Sequence, residues 1–196
     1  MPNLTDLDAR LAKPFDSPLH AVRGGQAVTI TNCDGYLAQM RRGARAANDR
    51  EQRLLEFRGA QCRALDLLRS ARPARRSALS GTILDARVLP PTLSFLPSDA
   101  DRRRALAAQA RGSSWQDAEP DVKVTAQTPE QATFETSTGY VRIDRYARGD
   151  FNQDGVEDVL LCVNSYARQG TYATTRLFLL TREREGQVLR VLREFE

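Results

Sequence analysis

Asp150-Phe-Asn-Gln-Asp-Gly-Val-Glu-Asp158 is the stretch from which the organisation of this chain is most readily understood. Oxygen-bearing side chains occupy positions one, three, five and nine, and glycine occupies position six. Calcium in proteins takes roughly six to eight oxygen ligands from carboxylates, amides, backbone carbonyls and water. Alternate residues of a tight loop point the same way, so Asp150, Asn152 and Asp154 are expected to converge on one point. The pattern therefore predicts a loop that binds calcium.

The second half of the stretch supplies the rest of the predicted site. Gly155 permits the sharp turn that a residue with a Cβ atom would resist. Val156 is expected to offer its backbone carbonyl, Asp158 to close the coordination shell, and Glu157 to face solvent. The alternative is a turn without metal, because Asp, Asn and Gly are also the residues that ordinary turns between strands prefer.

The flanks of the stretch decide which kind of calcium loop it resembles. An EF-hand requires a glutamate at position twelve, where this chain has Leu161. Residues 139–147 and 159–163 have the β-branched, aromatic or alternating character of strands. A calcium loop between two strands resembles the FG-GAP/VCBS type of repeat, and this resemblance covers residues 149–161. It implies calcium ligation with a structural role for the metal, through Asp150, Asn152, Asp154 and Asp158.

The number of copies of the motif limits the expected architecture. Propellers of the FG-GAP kind repeat the motif, whereas this chain carries one copy. We therefore expect a single blade-like sheet. From residue 121 onward the chain contains six segments with strand character, joined by short links that favour antiparallel neighbours. These segments are residues 121–125, 131–136, 140–146, 159–163, 175–181 and 187–192.

The N-terminal half is predicted to be mainly helical. The first thirty residues, rich in Pro and Gly, are expected to form an extended arm with a short strand near residues 27–31. Residues 34–71 have helical periodicity, and Asn48 with Glu51 resembles an N-cap pair at which a helix restarts. Pro73 is expected to end that helix or to open a short next one. Residues 81–97 are predicted to be a buried irregular connector, followed by a helix over residues 99–110 capped by Ser98.

Together these patterns predict an α+β fold. Residues 1–118 are assigned to the N-terminal arm and helical region, and residues 119–196 to the antiparallel sheet with the calcium loop. Because no long polar linker separates the two parts, we expect the helical half to pack on the sheet as one unit.

Composition narrows the classes of partner. The chain has 196 residues, of which 41% are hydrophobic and 28% are charged, which is typical of a globular protein. Arginine supplies nearly all of the net charge of +4, and Lys13 and Lys123 are the only lysines. The arginine clusters are short, interleaved with acids and without aromatic neighbours, so we predict no nucleic-acid binding and consider an acidic protein partner at least as plausible. No run approaches the ~20 apolar residues of a membrane span.

Cysteine usage and the N-terminus bear on the compartment. Cys33 and Cys62 are expected to form a disulfide, with three reduced cysteines as the alternative. Cys162 lies in an apolar strand and is expected to be a buried thiol. Residues 1–8 lack the apolar core of a signal peptide, which fits a cytosolic protein or an exported one whose signal has been removed. The calcium loop favours a periplasmic or secreted protein, because weak calcium sites fill outside the cytosol.

The residues point to binding more than to catalysis. His20 is the single histidine, which argues against Ser-His and Cys-His mechanisms. Trp115 is expected to pack in the core. A polar and aromatic loop between two strands is a candidate surface for a protein partner, with a plain hairpin turn around Gly170 as the alternative. The residues of this candidate partner site are Tyr166, Arg168, Gln169 and Tyr172.

We therefore expect a non-catalytic, calcium-stabilised binding protein of the bacterial periplasm or cell envelope. One concrete form is an inhibitor or immunity protein that blocks a secreted toxin. The alternatives are a hydrolase acting on the cell wall, with a structural calcium and a carboxyl group of raised pKa outside the loop, and an envelope scaffold or adhesion component.

Overall fold

The computed structural model describes residues 6–79 and 81–195. Helices predominate in the N-terminal part and an antiparallel sheet occupies the C-terminal part, which confirms the α+β fold class. Contacts cluster into two compact units, Met1–Ala71 with the last two residues, and Arg72–Glu194. The division by contacts thus falls after residue 71, whereas the sequence patterns placed a boundary after residue 118.

The first unit combines three helices with a small antiparallel sheet whose strand order is β2-β1-β3. Its elements are α1 (Leu7–Ala12), β1 (Leu19–Arg23), β2 (Gln26–Ile30), α2 (Cys33–Arg41), β3 (Arg45–Ala46) and α3 (Asp49–Ser70). The expected extended arm is wrong. Gly24 and Gly25 both adopt positive φ angles, +58° and +82°, so β1 turns back onto β2.

In the first unit, side-chain caps mark the starts of α2 and α3. The cap of α3 is the one that the sequence predicts. Asn48 Oδ1 accepts a hydrogen bond from the Glu51 N–H at 3.0 Å, and α3 starts at the next residue. Asn32 caps α2 in the same way through the Gly35 N–H at 2.8 Å. These bonds satisfy N–H groups that the first turn of a helix leaves without partners. Helix α3 ends at Ser70, before Pro73.

The predicted disulfide is present in the core of the first unit. Cys33 at the start of α2 is bonded to Cys62 in α3 across 29 residues of sequence. Helix α3 also approaches Tyr36 closely at Gly59. A Cβ atom at this position would overlap the Tyr36 hydroxyl. The surrounding buried side chains include Leu11, Leu19, Ile30 and Leu55.

The second unit contains a six-stranded antiparallel sheet in which each strand neighbours the next along the chain. It begins with a short 3-10 helix (Pro91–Leu93), α4 (Asp99–Ala110) and α5 (Trp115–Ala118). The strands are β4 (Lys123–Gln127), β5 (Gln131–Glu135), β6 (Gly139–Gly149), β7 (Asp158–Ala167), β8 (Ala173–Thr181) and β9 (Arg190–Phe195). The predicted helix over residues 99–110 and all six predicted strands are confirmed, with shifts of a few residues at their ends.

One face of this sheet is covered by the irregular segment and by α5. Leu84, Leu89 and Leu93 are almost fully buried, which confirms residues 81–97 as a buried connector. Trp115 is fully buried, and its ring centroid lies 4.7 Å from that of Phe134 in β5. Its indole N–H donates to Glu119 at 3.1 Å, so the polar edge of the ring is satisfied. Trp115 therefore has the core-packing role that was predicted.

Removal of the disulfide is predicted to destabilise the chain. Replacing both Cys33 and Cys62 by Ala releases a loop of 29 residues in the unfolded state, for which loop-closure entropy gives a loss of about 3–4 kcal/mol. Chemical denaturation monitored by circular dichroism measures the loss. A reductant should lower the midpoint of the wild-type protein and leave that of the variant unchanged. An identical midpoint for oxidised and reduced wild-type protein would contradict the prediction.

Helix α5 provides a pH-dependent contribution to stability. The backbone N–H and hydroxyl of Ser114 both donate to Asp117, and these bonds hold the pKa of Asp117 below its ordinary value of 3.8. Because the folded-state pKa is the lower one, the stabilisation is present above pH 3.8 and disappears as the pH falls through the folded-state pKa. Asp117→Ala should therefore lower the melting temperature at pH 7 and have a smaller effect at pH 2.5. Asp121→Ala, at an exposed acid of the same unit, is the matched control.

Candidate metal centre

The loop of interest joins β6 to β7. Gly149 and Asp158 are paired across the two strands, so residues 150–157 form the connection and Asp158 is the first residue of β7. Gly155 has a φ angle of +84°, which agrees with its predicted role in the turn. Gln153 has a φ of +66° and is the single non-glycine residue with positive φ among residues 6–79 and 81–195. Residues 150–158, for which calcium binding is a prediction, are called the calcium loop below.

The first two predicted ligands converge on one point. Asp150 Oδ1 and Asn152 Oδ1 lie 3.2 and 3.1 Å from the backbone nitrogen of Asp154 and accept a hydrogen bond from it. Asp150 Oδ2 accepts from the Gly155 N–H at 2.9 Å. Oxygens from positions one and three therefore meet at one backbone N–H. The predicted convergence also included the Asp154 carboxylate, which is bonded to other donors.

Asp154 lies at the exposed mouth of the loop. Its carboxylate accepts hydrogen bonds from the Val156 N–H at 2.7 Å and from the Asn152 side-chain amide at 2.9 Å. These two bonds, with smaller contributions from the positive charges of Arg76 and Arg190, lower the pKa of Asp154. The side chain of Val156 is buried and anchors the loop to the unit.

Asp158 is the buried end of the predicted ligand set. The residue is fully buried, and its Oδ2 accepts from the Phe151 N–H at 3.1 Å, so the carboxylate is directed at the loop. Its Oδ1 is buried and makes no hydrogen bond of ordinary geometry. The Thr181 hydroxyl, from the residue paired with Asp158 in β8, and the backbone of Asn152 still interact with this carboxylate and partly offset the effect of burial on its pKa. Burial raises the pKa of Asp158. A carboxylate oxygen left in this state costs free energy unless a donor or a cation satisfies it.

The carboxylates of the loop are held by N–H donors and not grouped around a common centre. Across the described parts of the chain, no three side chains of the His, Cys, Asp and Glu types are placed together so as to hold a metal ion. Every predicted side-chain ligand is nevertheless an oxygen donor, which is the type of ligand that calcium prefers, and the Asp158 Oδ1 atom makes no hydrogen bond of ordinary geometry. The calcium loop thus has suitable donors, in a conformation that backbone N–H groups stabilise.

Backbone pairing with residues 72–76 holds the calcium loop from outside. Arg72 and Asp150 exchange two backbone hydrogen bonds, of 3.0 and 2.9 Å. The Arg76 N–H donates to the Gly155 carbonyl, and the Glu157 N–H donates to the Arg76 carbonyl at 2.9 Å. No local pattern in the sequence predicts this pairing, since the two segments are over 70 residues apart and neither has a strand pattern here. Residues 72–76 are called the clamp segment below.

Glu157 does not face solvent as predicted. Its carboxylate forms an ion pair with Arg148, at 2.6 Å, and accepts a hydrogen bond from the Ser77 hydroxyl. Burial alone would raise the pKa of Glu157, but Arg148 and Ser77 outweigh it and the pKa is lowered. Alternation of side chains placed Glu157 on the side of the loop opposite Asp158. That side is not open to solvent, because the segment after residue 76 covers it.

A pocket of about 360 Å³ opens beside the calcium loop. Asp150, Asp154 and Gly155 contribute to it from the loop, and Gln153 lies at its edge. The clamp segment contributes Arg72, Pro73 and Arg75. The pocket therefore combines acidic loop residues with basic residues from a distant part of the sequence.

The candidate partner site forms an aromatic edge at the other end of β6 and β7. Tyr166 and Tyr172 are 47% and 52% exposed, and the Tyr172 ring lies 5.9 Å from that of Phe95. Arg168 lies over the ring of Tyr140 at 5.0 Å and pairs with Glu135. Gln169 is exposed beside Gly170, which has a φ of +90° as expected for the hairpin turn. Tyr140, which the sequence analysis did not select, joins this edge because it pairs with Tyr166.

The acidic residues in a groove beside α4 have structural partners. A groove of about 630 Å³ runs along α4 and contains Asp101, Asp117 and Glu119. Asp101 pairs with Arg104, Asp117 caps α5, and Glu119 accepts from Trp115 and from the Ser94 hydroxyl. The pKa values of Asp85 and Asp117 are lowered, whereas the hydrolase alternative predicts a raised one. His20 is exposed on β1.

Comparison with known proteins gives no relative. No protein-family model matches the chain, and neither the curated proteins nor the solved structures contain a match. No helix in the described parts of the chain has the length and apolar character needed to cross a membrane. Any functional inference must therefore come from the residues themselves.

The ion pair beside the loop is predicted to contribute strongly to stability. Arg148→Met keeps much of the side-chain volume, but the half-buried Glu157 carboxylate loses its ion pair and keeps only the Ser77 hydroxyl as a side-chain donor. The Leu79 carbonyl loses the hydrogen bond from Arg148. We expect a loss of about 2 kcal/mol in the free energy of unfolding, measured by chemical denaturation. Arg103→Met, at an exposed arginine of α4, should change it by less than about 0.5 kcal/mol. Equal effects of the two variants would contradict the prediction.

Proposed function

We propose that this protein is a non-catalytic binding protein of the bacterial periplasm or cell envelope whose calcium loop holds one structural calcium ion. The observation that carries the proposal is the buried carboxylate of Asp158, which is directed at the loop and whose Oδ1 makes no hydrogen bond of ordinary geometry. Its interactions with Thr181 and Asn152 do not outweigh the effect of burial, because its pKa is still raised. The ligands would be the side-chain oxygens of Asp150, Asn152, Asp154 and Asp158 with the backbone carbonyl of Val156.

The energetics favour a cation at this position. A buried polar atom without a hydrogen bond costs about 1–3 kcal/mol, and more when it carries charge. Calcium would satisfy Asp158 and reduce the repulsion between Asp158 and Asp154, which is itself one cause of the raised pKa of Asp158. Asn152 and Asp154 are exposed, so their side chains have room to rotate from N–H donors toward an ion.

The role of the ion would be structural. Asp150 follows the last residue of β6, and Asp158 is the first residue of β7. An ion bound by both would fix the connection between two central strands of the sheet. A ligand that binds only the folded state raises the free energy of unfolding. Once the ligand concentration exceeds the Kd, the increase grows with the logarithm of their ratio.

Two features support an extracytoplasmic location. The Cys33–Cys62 disulfide is of the kind that persists in oxidising compartments. A loop with five protein ligands is expected to bind calcium weakly and to fill where calcium is plentiful. An inhibitor or immunity protein against a secreted toxin is one concrete form of this proposal.

The partner would be a protein that contacts the aromatic edge. Tyrosine and arginine are enriched at the energetic centres of protein interfaces, and this edge offers three exposed tyrosines around Arg168. The residues proposed for contact are those selected from the sequence, with Tyr140 added.

Calcium is predicted to raise the melting temperature of the purified chain. The rise should occur with calcium and be smaller with magnesium, which prefers tighter octahedral sites, and EDTA should reverse it. Asp154→Ala should weaken the response, and Asp158→Asn should abolish most of it by removing the buried charge. Asp121→Ala, an exposed acid outside the loop, should respond as the wild type does.

The proposal fails if calcium up to several millimolar leaves the melting temperature of the wild-type protein unchanged. It also fails if Asp154→Ala and Asp158→Asn respond as fully as Asp121→Ala, because the ion would then bind elsewhere.

A further inference from the structure

The groove beside α4 has a largely apolar lining. Phe95 and Pro91 of the connector are buried in it, and Leu96 is half-buried. Helix α4 contributes Ala105 and Ala108, whose small side chains leave the space of the groove free. The groove is called the α4 groove below, and its walls come from residues 91 and 95–97, from α4, from residues 117–119 and from residues 137–138.

Hydrogen bonds fix the walls of the α4 groove to one another. The Thr92 hydroxyl donates to Gln109 of α4 at 2.5 Å, and the Ser94 hydroxyl donates to Glu119, directly after α5, at 2.6 Å. Arg176 of β8 donates to the backbone carbonyls of Thr92 and Ser94 at 3.1 and 2.8 Å. The groove is therefore preformed, and a ligand that enters it does not have to order its walls.

Most charged side chains of the α4 groove are bonded within the protein. Asp101 pairs with Arg104, Asp117 caps α5, and Glu119 accepts two hydrogen bonds. Arg111 is exposed and has no side-chain partner among the residues that the structure describes. Three carboxylates and two guanidinium groups give the groove a net charge of −1, so it does not select an anion. It offers an apolar surface and one guanidinium group with free donors.

The α4 groove is continuous with the aromatic edge. Thr138 lines the groove, and its carbonyl accepts a hydrogen bond from the Arg168 N–H at 3.0 Å. Phe95 also lines the groove, and its ring centroid lies 5.9 Å from that of the exposed Tyr172. An extended chain advances about 3.3–3.6 Å per residue, so a partner chain lying against Tyr172 reaches Phe95 within about two residues.

We propose that the α4 groove binds an extended segment of the protein partner. An apolar side chain of that segment packs against Phe95 and Leu96, and a backbone carbonyl accepts from Arg111. We infer an extended segment because its carbonyls are free to accept from a guanidinium group, whereas those of a helix are used within the helix. The inference rests on the proposed binding function, and it describes the partner as a protein that inserts an apolar residue beside the aromatic edge.

The test uses a phage-displayed library of random linear peptides, selected on the wild-type protein in EDTA. We expect the enriched peptides to share an apolar residue, and fluorescence anisotropy measures their affinity as synthetic peptides. Leu96→Asp should weaken binding about tenfold or more, because it places a charge against that apolar residue. Leu106→Asp makes the same change at an exposed leucine of α4 outside the groove, and it should leave the affinity unchanged.

Two further variants test the groove without changing Leu96. Ala118→Trp adds a large side chain at an exposed position that lines the groove, so it should block the peptides even if Leu96→Asp fails to fold. Arg111→Gln should weaken binding about fivefold through loss of its hydrogen bond. Arg103→Gln, at an exposed arginine of α4 outside the groove, should have no effect.

Each other outcome overturns the inference in a recognisable way. Peptides that bind Leu96→Asp and Ala118→Trp as tightly as the wild type do not use the groove, and if Tyr172→Ala abolishes their binding, the aromatic edge alone is the partner site. A selection that enriches no peptide also overturns the inference, and a fluorescent fatty acid that binds the wild type but not Ala118→Trp would assign the groove to a lipid. The proposed calcium site is judged separately by the melting temperature in calcium, on which a selection in EDTA does not depend.

Discussion

Backbone hydrogen bonds between the clamp segment and the calcium loop are the constraint on which the rest of the account depends. They bind main-chain atoms of Asp150, Gly155 and Glu157. The conformation of the loop is therefore stabilised independently of its own carboxylate groups. The Arg148–Glu157 ion pair fixes the same region from the side of β6. A loop held in this way keeps Asp158 buried even though one of its oxygens makes no hydrogen bond of ordinary geometry.

The same backbone pairing explains why basic and acidic residues meet. The N–H and carbonyl groups of Arg72 are used by Asp150, and the side chain of Arg72 is exposed beside the acidic loop. Arg75 is placed in the same manner by Gly155. Neither arginine is close to the loop in sequence, so the mixed charge of the pocket is a product of the fold.

Local signals predicted most of the secondary structure. Asn48 with Glu51 marked the start of α3, and alternation with short links predicted the six-stranded sheet. Pro and Gly residues near the N-terminus are typical of an extended arm and also of tight turns, and here Gly24 and Gly25 form the turn of a hairpin. Composition alone does not distinguish the two, so the predicted arm is wrong. Within the site, the convergence of Asp150 and Asn152 followed from residue spacing. The clamp segment and the true position of Glu157 depend on contacts between distant segments, which no local pattern encodes.

The central claim is that the Oδ1 atom of Asp158 belongs to a calcium site. A crystal structure of the protein grown in calcium, with anomalous scattering data, tests it most directly. The account predicts one anomalous peak inside the loop at about 2.3–2.6 Å from Asp158 Oδ1, with Asp150 and Asp154 turned toward it. A well-ordered loop without a peak, in which water or a protonated Asp158 satisfies that oxygen, would contradict the account.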